Sequence, residues 1–237
     1  MSSLLSVQGL EARHGLLPAV RGVSFEVTDG ETVALVGANG AGKTTLLRTI
    51  AGAHKSAAGQ IRFDGDDITR VRAHDRLRRG IALVPEGRRL FPDLTVEDNL
   101  LVAARSDRKG QWTLDTVLEA FPLLKPLRGR RAATLSGGEQ QATAIGRALI
   151  SNPRLLLLDE VSLGLAPIAI EAVYRSLTTL IEGGTTIILV EQDLKRATSV
   201  ASRVICMLEG RLVLEGGSEL TREQITEAYF GLRKAPR

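Results

Sequence analysis

The chain has 237 residues, of which 43% are hydrophobic and 24% charged, a composition typical of a globular protein. This composition excludes a disordered or collagen-like chain, and the single cysteine, Cys206, excludes an internal disulfide and a multi-cysteine metal cage. A formal net charge of +4 is compatible with an anionic ligand, whereas 3% aromatic residues argue against a base-stacking surface for single-stranded nucleic acid. No stretch approaches the ~18 apolar residues of a membrane-spanning helix, and Met1–Gln8 lacks a secretory signal pattern, so we expect a cytoplasmic protein.

Short apolar runs alternate with helical patterns, which predicts an α/β fold with a mainly parallel sheet. Five continuous apolar runs are predicted to be strands covered on both faces: Thr32–Val36, Ile81–Val84, Leu155–Leu158, Thr186–Val190 and Val204–Leu208. Three runs of mixed polarity lie near turn residues and are predicted to be antiparallel edge strands: Val23–Val27, Gln60–Phe63 and Arg211–Glu215.

The middle of the chain interrupts this alternation. Residues 96–150 have a mainly helical pattern, whose breaks fall at three prolines: Pro92, Pro122 and Pro126. We therefore expect one domain over 1–237 with a helical subdomain inserted into the α/β core. Its parts are a core made of 1–85 and 151–237 and a helical subdomain at 86–150. The last residues, Arg233–Arg237, are predicted to be a loose tail.

A glycine-rich segment between a predicted strand and a predicted helix matches the phosphate-binding pattern G-x-x-x-x-G-K-[ST]. Its residues are Gly37, Ala38, Asn39, Gly40, Ala41, Gly42, Lys43, Thr44 and Thr45. Glycines allow backbone N–H groups to surround phosphate oxygens at a helix end that favours negative charge. Lys43 is expected to reach the β- and γ-phosphates, and the Thr44 hydroxyl to bind Mg²⁺. The alternative is an ordinary turn with a surface lysine, which the two flanking elements disfavour.

Two carboxylates follow the predicted strand Leu155–Leu158 directly. In an open α/β sheet, ligands bind beyond the carboxyl ends of the strands. Asp159 is therefore expected to hold Mg²⁺ beside the phosphate loop, and Glu160 to orient or deprotonate the attacking water. By itself the pair fits a buried strand ending in an acidic turn equally well, and the phosphate loop favours the catalytic interpretation.

A third motif opens a helix that is predicted to run to about Ile150, and it reads Leu135, Ser136, Gly137, Gly138, Glu139, Gln140, Gln141. Ser136 is suited to cap the helix, and the two glycines expose backbone N–H groups at its positive end. A simple capped helix start would explain the serine but not the glycine pair.

Together, these three motifs resemble those of ABC ATPases in order and approximate spacing, and the resemblance covers nearly the whole chain. It implies a P-loop core with an antiparallel N-terminal β subdomain and an inserted helical subdomain. It also implies that two such domains pair head to tail and enclose two ATP molecules, so a single subunit has an incomplete site. The residues implied to contact ATP bound by the partner chain are Ser136, Gly137, Gly138, Glu139 and Gln140.

Four positions depart from the common pattern of that family. Glu86 stands where most members have Gln, a residue that links Mg²⁺ and the attacking water to the helical subdomain. A carboxylate can also bind the metal, and the alternative is a solvated loop acid. Gln192 replaces a switch histidine, and its amide can donate to the γ-phosphate but cannot carry a proton, which leaves Glu160 as the expected base. The alternative for Gln192 is that it only begins the helix predicted at Asp193–Ala201.

The other two departures lie beside the adenine and after the base. His14 stands where an aromatic residue usually stacks on adenine, with Val20 packing on the base from the side. An exposed loop histidine is an equal alternative for His14. Val161 follows Glu160 where proline is usual, which leaves the backbone φ of the next loop unrestricted.

Finer matches resemble the LivF-type ATPase subunits of branched-chain amino acid importers. They are Val84-Pro85-Glu86-Gly87-Arg88, Glu139-Gln140-Gln141, Ser162 to Pro167, Val190-Glu191-Gln192 and the predicted helix Thr221–Phe230. The implied partners are integral-membrane permeases, a second ABC ATPase in a homodimer or heterodimer and, indirectly, a periplasmic solute-binding protein, but not nucleic acid. The implied location is the cytoplasmic face of a bacterial inner membrane. Alternatives are a urea or amide importer, a lipid or polysaccharide exporter, a soluble ABC ATPase acting on nucleic acid, or a non-hydrolysing regulator.

Two arginine-containing segments are candidate contact surfaces for a partner molecule. A basic cluster at Arg70, Arg72, Arg76, Arg78 and Arg79 could contact nucleic acid, but we expect it to be the solvated face of a short helix. A second segment combines arginines with an exposed Leu-Phe pair, which suits docking of a partner helix. It consists of Arg88, Arg89, Leu90 and Phe91. The resemblance to ABC ATPases implies that this partner is a helix of the permease.

Overall fold

A six-stranded sheet forms the centre of the protein. The computed structural model describes residues 3–106 and 108–232, so the predicted tail at 233–237 lies outside it. The strands of this sheet are β3 (Thr32–Val36), β6 (Ile81–Val84), β7 (Leu155–Asp159), β8 (Thr186–Val190), β9 (Arg203–Leu208) and β10 (Arg211–Gly216). Their order is β10-β9-β3-β8-β7-β6; the first pair is antiparallel and the other pairs are parallel. Every residue of β3, β7 and β8 is buried, which explains why their sequences are continuously apolar.

The amino-terminal part of the chain forms most of a second sheet, which is four-stranded and antiparallel. Its strands are β1 (Ser3–His14), β2 (Leu17–Thr28), β4 (Ser56–Phe63) and β5 (Asp66–Asp67), in the order β2-β1-β4-β5. β2 and β10 are edge strands as predicted. Gln60–Phe63 is an antiparallel strand as predicted, but its predicted edge position was wrong, because β4 lies between β1 and β5. β1 was not predicted, since its register shifts break the alternation of polar and apolar residues.

The helices pack on the central sheet or on one another. They are α1 (Lys43–Ile50), α2 (Ala73–Arg79), α3 (Val96–Leu101), α4 (Leu114–Ala120), α5 (Gly137–Ile150), α6 (Pro167–Glu182), α7 (Leu194–Val200) and α8 (Arg222–Tyr229). Short 3₁₀ helices at Val102–Ser106, Pro122–Leu127 and Ala132–Thr134 connect α3, α4 and α5, and Pro122 begins the second of them. Among the described residues, no helix is long and apolar enough to cross a bilayer.

The predicted α/β fold and the helical middle segment are confirmed, but this segment does not have a core of its own. Its buried side chains, such as Leu100 and Ile145, belong to one apolar cluster with Leu156 and Leu158 of β7. The division of the chain at 86 and 150 stays a prediction. Cys206 of β9 belongs to a separate apolar cluster and is fully buried, and burial raises the pKa of its thiol to about 11.

One arginine of the predicted basic cluster is an internal support. Arg76 is 2% exposed, and its guanidinium donates at 2.8–2.9 Å to four main-chain carbonyls, those of Thr49, Ile50, Thr69 and Val71. Burial lowers the pKa of Arg76 to about 10. This guanidinium joins the end of α1 to the segment before α2.

The prediction of a solvated basic face was therefore wrong for Arg76. It holds for the other members of the cluster, which are exposed: Arg70, Arg72, Arg78 and Arg79. Three of them form ion pairs with Asp75 or Asp66, which reduces the positive charge that this surface offers to a polyanion.

Replacing Arg76 with Met should lower the free energy of unfolding by about 2–4 kcal/mol, because buried carbonyls lose their donor. The matched change Arg78→Met should cost less than about 0.5 kcal/mol, since that side chain is exposed and its ion pair is weak. Urea denaturation of both variants measures the difference. Equal losses would show that the carbonyl contacts of Arg76 contribute nothing beyond those of a surface arginine.

Candidate nucleotide-binding site

The phosphate loop lies between β3 and α1, as predicted, and α1 begins within the motif at Lys43. Gly42 precedes the helix with a φ of 100°, and a Cβ there would lie 2.1 Å from the carbonyl oxygen of Ala19. Only glycine fits this position, for reasons of both φ and space. No side chain in the described structure caps the amino end of α1, so its N–H groups are available to an anion.

Lys43 is folded back into the loop. The residue is 4% exposed, and its ammonium donates to the carbonyl oxygens of Gly37 at 2.6 Å and Ala38 at 2.9 Å. Burial lowers the pKa of Lys43, and the nearby Glu160 and Asp159 carboxylates oppose that shift. Two of the three N–H donors of the ammonium are therefore used by the loop itself.

Asp159 and Thr44 meet across the sheet edge. The Thr44 hydroxyl donates to Asp159 Oδ1 at 2.9 Å. The other oxygen, Oδ2, is buried without a hydrogen-bond partner in the described part of the chain. Burial raises the pKa of Asp159, the Thr44 hydrogen bond opposes this, and the charges of Glu160 and Glu86 add to the rise. The unsatisfied oxygen is therefore suited to a cation or a water molecule.

Glu160 and Gln192 form a pair at the ends of neighbouring strands. The Gln192 amide Nε2 donates to Glu160 Oε2 at 2.6 Å. The backbone of Glu160 has a φ of 51°, a left-handed conformation that is uncommon for a residue with a side chain. Its N–H donates to the Val190 carbonyl at 3.1 Å, which attaches it to the end of β8. The helix that follows Gln192, α7, begins at Leu194, and Asp193 caps it.

A cavity of about 490 Å³ opens beside these groups. It is lined by His14, Ala19, Asn39, Gly40, Gly42, Lys43, Thr44, Thr45, Glu86, Glu160, Leu163 and Gln192. Of the residues predicted to bind ATP, four do not line it: Val20, Gly37, Ala38 and Ala41. The prediction that Val20 packs on the base has no support here, because Val20 is fully buried and its neighbour Ala19 lines the cavity instead.

His14 lies at the cavity but is engaged with its own chain. Its Nε2 is 3.0 Å from the Thr45 hydroxyl, and its ring lies 4.8 Å from that of His54 at a 48° tilt. The ring borders the space next to the phosphate loop, which is compatible with the predicted stacking on adenine. That contact stays a prediction.

The residues of the third motif that are implied to contact the partner's ATP, Ser136 to Gln140, are called the signature residues below. They do not line the cavity at the phosphate loop of the same chain. Ser136 caps α5 in a reciprocal pair with Glu139: the Ser136 N–H donates to Glu139 Oε2 at 2.7 Å, and the Glu139 N–H to the Ser136 hydroxyl at 3.4 Å. Gly138 lies against α6, where a Cβ would approach that of Ala169 to 2.7 Å. Close packing therefore explains the second glycine, which the sequence left open.

The loop after β6 is attached to the signature helix. Arg88 donates to Gln140 Oε1 at 3.0 Å, and Arg147 donates to the carbonyls of Arg88 at 3.0 Å and Arg89 at 2.8 Å. Both loop arginines have a positive φ, 64° and 49°. Glu86 is exposed at the start of this loop. The loop thus joins one wall of the cavity to the helix that carries the signature.

The predicted docking segment is only partly a surface. Arg89 is exposed and Phe91 is 48% exposed, with the Arg147 guanidinium 5.9 Å from the centre of the Phe91 ring. Leu90 packs against the apolar cluster of the helical segment, so the prediction of an exposed Leu-Phe pair was wrong for Leu90. Arg88 is half-buried and turned toward Gln140.

Three groups that shape the site were not predicted from the sequence. Asn99 is fully buried and fixes the loop that follows Phe91 by donating to the carbonyls of Phe91, Leu94 and Thr95. Leu163 lines the cavity. Glu191 is a buried carboxylate next to Gln192, and a charged residue directly after a wholly apolar strand is the signal that could have identified it.

This arrangement of a glycine-rich loop after a central parallel strand, with two carboxylates at the end of a nearby strand, defines a P-loop nucleotide-binding protein. The sequence profile of the ABC transporter family matches residues 20–162. The chain belongs to the ABC transporter family, and it is an ATPase.

Similar proteins extend over the whole length of the chain. It is 45% identical to the high-affinity branched-chain amino acid transport ATP-binding protein BraG of Pseudomonas aeruginosa, covering 96% of this chain and 100% of that protein. It is 35% identical to the probable branched-chain amino acid transport ATP-binding protein LivF of Archaeoglobus fulgidus, with 97% and 99% covered. A crystal structure of a nucleotide-free ATP-binding cassette from an ABC transporter matches with a TM-score of 0.81 at 27% identity, covering 96% of this chain and 95% of that chain.

Proposed function

We propose that this chain hydrolyses MgATP to energise the uptake of branched-chain amino acids through separate permease subunits at the cytoplasmic face of the membrane. The observation that carries the proposal is the 45% identity over the full length of BraG, whose name gives that transport function. The site supports it, because the loop, the carboxylates and the cavity have the chemistry that phosphoryl transfer needs.

The phosphate loop receives the nucleotide in this proposal. The N–H groups at the amino end of α1 bind the phosphates, and Lys43 moves from the carbonyls of Gly37 and Ala38 to the β- and γ-phosphates. His14 covers the adenine from the open side of the cavity. A carbonyl-bound ammonium costs little to release when phosphate oxygens replace its acceptors, because the number of hydrogen bonds is kept.

Three oxygen-bearing side chains are suited to Mg²⁺. The Thr44 hydroxyl and the Asp159 carboxylate are already in contact, Asp159 Oδ2 is unsatisfied, and Glu86 lines the same cavity. Mg²⁺ prefers one or two carboxylates together with phosphate oxygens and water, and this set fits that preference. When bound there, Mg²⁺ would neutralise charge on the phosphates of the nucleotide.

Glu160 is the proposed base. It lines the cavity and can accept a proton from water, whereas Gln192 can only orient groups through its amide. The hydrogen bond from Gln192 to Oε2 holds the carboxylate toward the phosphate side. Gln192 is thus proposed to sense the γ-phosphate while it positions the base.

The site is proposed to be completed by a second ATPase subunit, in a homodimer or a heterodimer. Within one chain the signature residues lie away from the cavity at the phosphate loop. Ser136, Gly137 and Gly138 are proposed to contact ATP bound by that partner, with Glu139 and Gln140 supporting them from α5. Because hydrolysis then requires two subunits to close, it can be coupled to movement of the permeases.

Phe91 and Arg89 are the proposed contact for a permease helix. Their loop carries Glu86 at its start and is bonded to α5 through Arg88 and Arg147. A partner that binds this loop would act on the metal ligand and on the signature helix at the same time.

Replacing Glu160 with Gln should retain ATP binding and lower kcat by at least about 100-fold, because the base is removed while the side-chain shape is kept. ATP-bound dimer should accumulate, as light scattering after gel filtration can show. Phosphate release at saturating MgATP measures the loss, with Glu119→Gln on the exposed face of α4 as the matched control. Near-native turnover in Glu160→Gln would refute the assignment of the base.

Replacing Phe91 with Ala should weaken association with the permeases while nucleotide binding stays intact, since the ring is half-exposed and lies outside the cavity. Co-purification of tagged chains from their native membranes, with companions identified by mass spectrometry, measures the association. Val213→Ala removes a comparably exposed apolar side chain from β10 and serves as the control. Equal recovery of companions with both variants would contradict the docking role.

Vesicles containing the complete native complex should take up labelled leucine when ATP is present on the side of this subunit. Unlabelled isoleucine and valine should compete, and urea should not. Uptake of urea, or outward movement of a lipid or polysaccharide instead, would contradict the proposed solute while leaving the ATPase assignment in place.

A further inference from the structure

Two side-chain hydrogen bonds join the loop after β7 to the loop after β8. The first is the contact of Gln192 with Glu160, which borders the nucleotide cavity. The second is buried: the Ser162 hydroxyl donates to Glu191 Oε2 at 2.9 Å, with the two residues 8% and 2% exposed. The two pairs are nested in the sequence, because residues 162 and 191 both lie between residues 160 and 192.

The main chain of Glu191 is fixed to the strand that leads into the phosphate loop. Its N–H donates to the Leu35 carbonyl of β3 at 3.3 Å. Leu35 lies two residues before Gly37, so Glu191 is attached to the base of the phosphate loop. A continuous path of contacts therefore runs from β3 through Glu191 and Ser162 to the segment that carries Glu160.

The loop after Glu160 requires such an attachment. Glu160 has a left-handed φ, which is unfavourable for a residue with a Cβ unless its surroundings hold it. Val161 is fully buried, but an apolar side chain provides no directional restraint. The hydrogen bond at Ser162 is directional, and it is shielded from competing water.

The carboxyl group of Glu191 is buried away from water, so its position depends on its contacts within the protein. Burial raises its pKa, and the hydrogen bond from Ser162 opposes that rise. Tyr174 of α6 lies close enough to oppose this rise in pKa as well. In the described structure, however, the Tyr174 hydroxyl and Glu191 Oε1 do not form a well-formed hydrogen bond. Ser162 is therefore the side chain that bonds this carboxyl group with good geometry.

We propose that Glu191 is a positioning residue for Glu160. By accepting the Ser162 hydrogen bond, it holds the loop after β7 in register with the phosphate loop, so that the aim of Glu160 at the nucleotide does not depend on the hydrogen bond from Gln192 alone. The inference rests on the proposed role of Glu160 as the base. It assigns to Glu191 no contact with nucleotide, metal or water.

The test compares Ser162→Ala, Glu191→Gln and the double variant in the full-length chain. Ser162→Ala should lower kcat about tenfold at unchanged ATP affinity, because a misplaced base slows the chemical step without affecting binding. Glu191→Gln keeps an oxygen that can accept from Ser162, so its kcat should stay within about twofold of native. The double variant should be no slower than Ser162→Ala, since both changes affect one contact.

Phosphate release at saturating MgATP gives kcat, and binding of a fluorescent ATP analogue gives the affinity. Ser176→Ala is the matched control, because it removes a half-buried serine hydroxyl whose partners among the described residues are the main-chain carbonyls of Ala120 and Ala172. Glu160→Gln is assayed in parallel. Normal turnover there would refute the base itself, whereas stalled turnover there with native kcat in Ser162→Ala would refute only the positioning role.

Two other results would also overturn the proposal. One is a loss of ATP affinity in Ser162→Ala that matches its loss of kcat, since this would indicate general disruption of the site. The other is a tenfold loss in Glu191→Gln, since an amide that still accepts the hydrogen bond should preserve the position of the loop.

Discussion

The site depends on the alignment of three neighbouring strands, β3, β8 and β7, whose carboxyl ends lie level with one another. Parallel pairing brings Leu35 opposite Val190, and Val190 opposite Asp159. Backbone hydrogen bonds continue this register past the last paired residues, from Glu160 to Val190 and from Glu191 to Leu35. Because these strands are buried on both faces, a slip of one residue would move polar groups into the core. The phosphate loop, both carboxylates and Gln192 are brought together by this register.

Buried polar side chains also stabilise the structure around the site, and each fixes a segment that has no regular structure. Arg76 joins the end of α1 to the segment before α2, Asn99 fixes the loop after Phe91, and Glu191 holds the loop after Glu160. A buried polar group is costly unless it is bonded, so each of these contacts favours one loop conformation over its alternatives. The loop after Glu160, which borders the nucleotide cavity through Leu163, is therefore held by a contact that lies outside the cavity.

The departures from the common family pattern alter this site locally. Glu86 adds a negative charge beside Asp159 and contributes to raising the pKa of that carboxyl group. Gln192 replaces a group that could carry charge with an amide that bonds Glu160 directly. Val161 leaves φ unrestricted, but its side chain is fully buried, so packing supplies part of the restraint that a proline ring would give. With glutamine at position 192, Glu160 is the residue proposed to accept the proton from water.

The sequence by itself was sufficient for the parallel strands, the phosphate loop and the carboxylate pair, because each is encoded within a few consecutive residues. Continuous apolar runs report burial on both faces, and the glycine pattern reports a local backbone requirement. Only the tertiary structure placed β4 inside its sheet, buried Arg76, turned Arg88 toward Gln140 and joined Ser162 to Glu191. The pairs Thr49–Arg76, Arg88–Gln140 and Ser162–Glu191 are 27 to 52 positions apart, and the place of β4 depends on which strands become its neighbours. Local sequence patterns record the surroundings of a residue along the chain, whereas the partner of a buried polar group is chosen by the packing of distant segments.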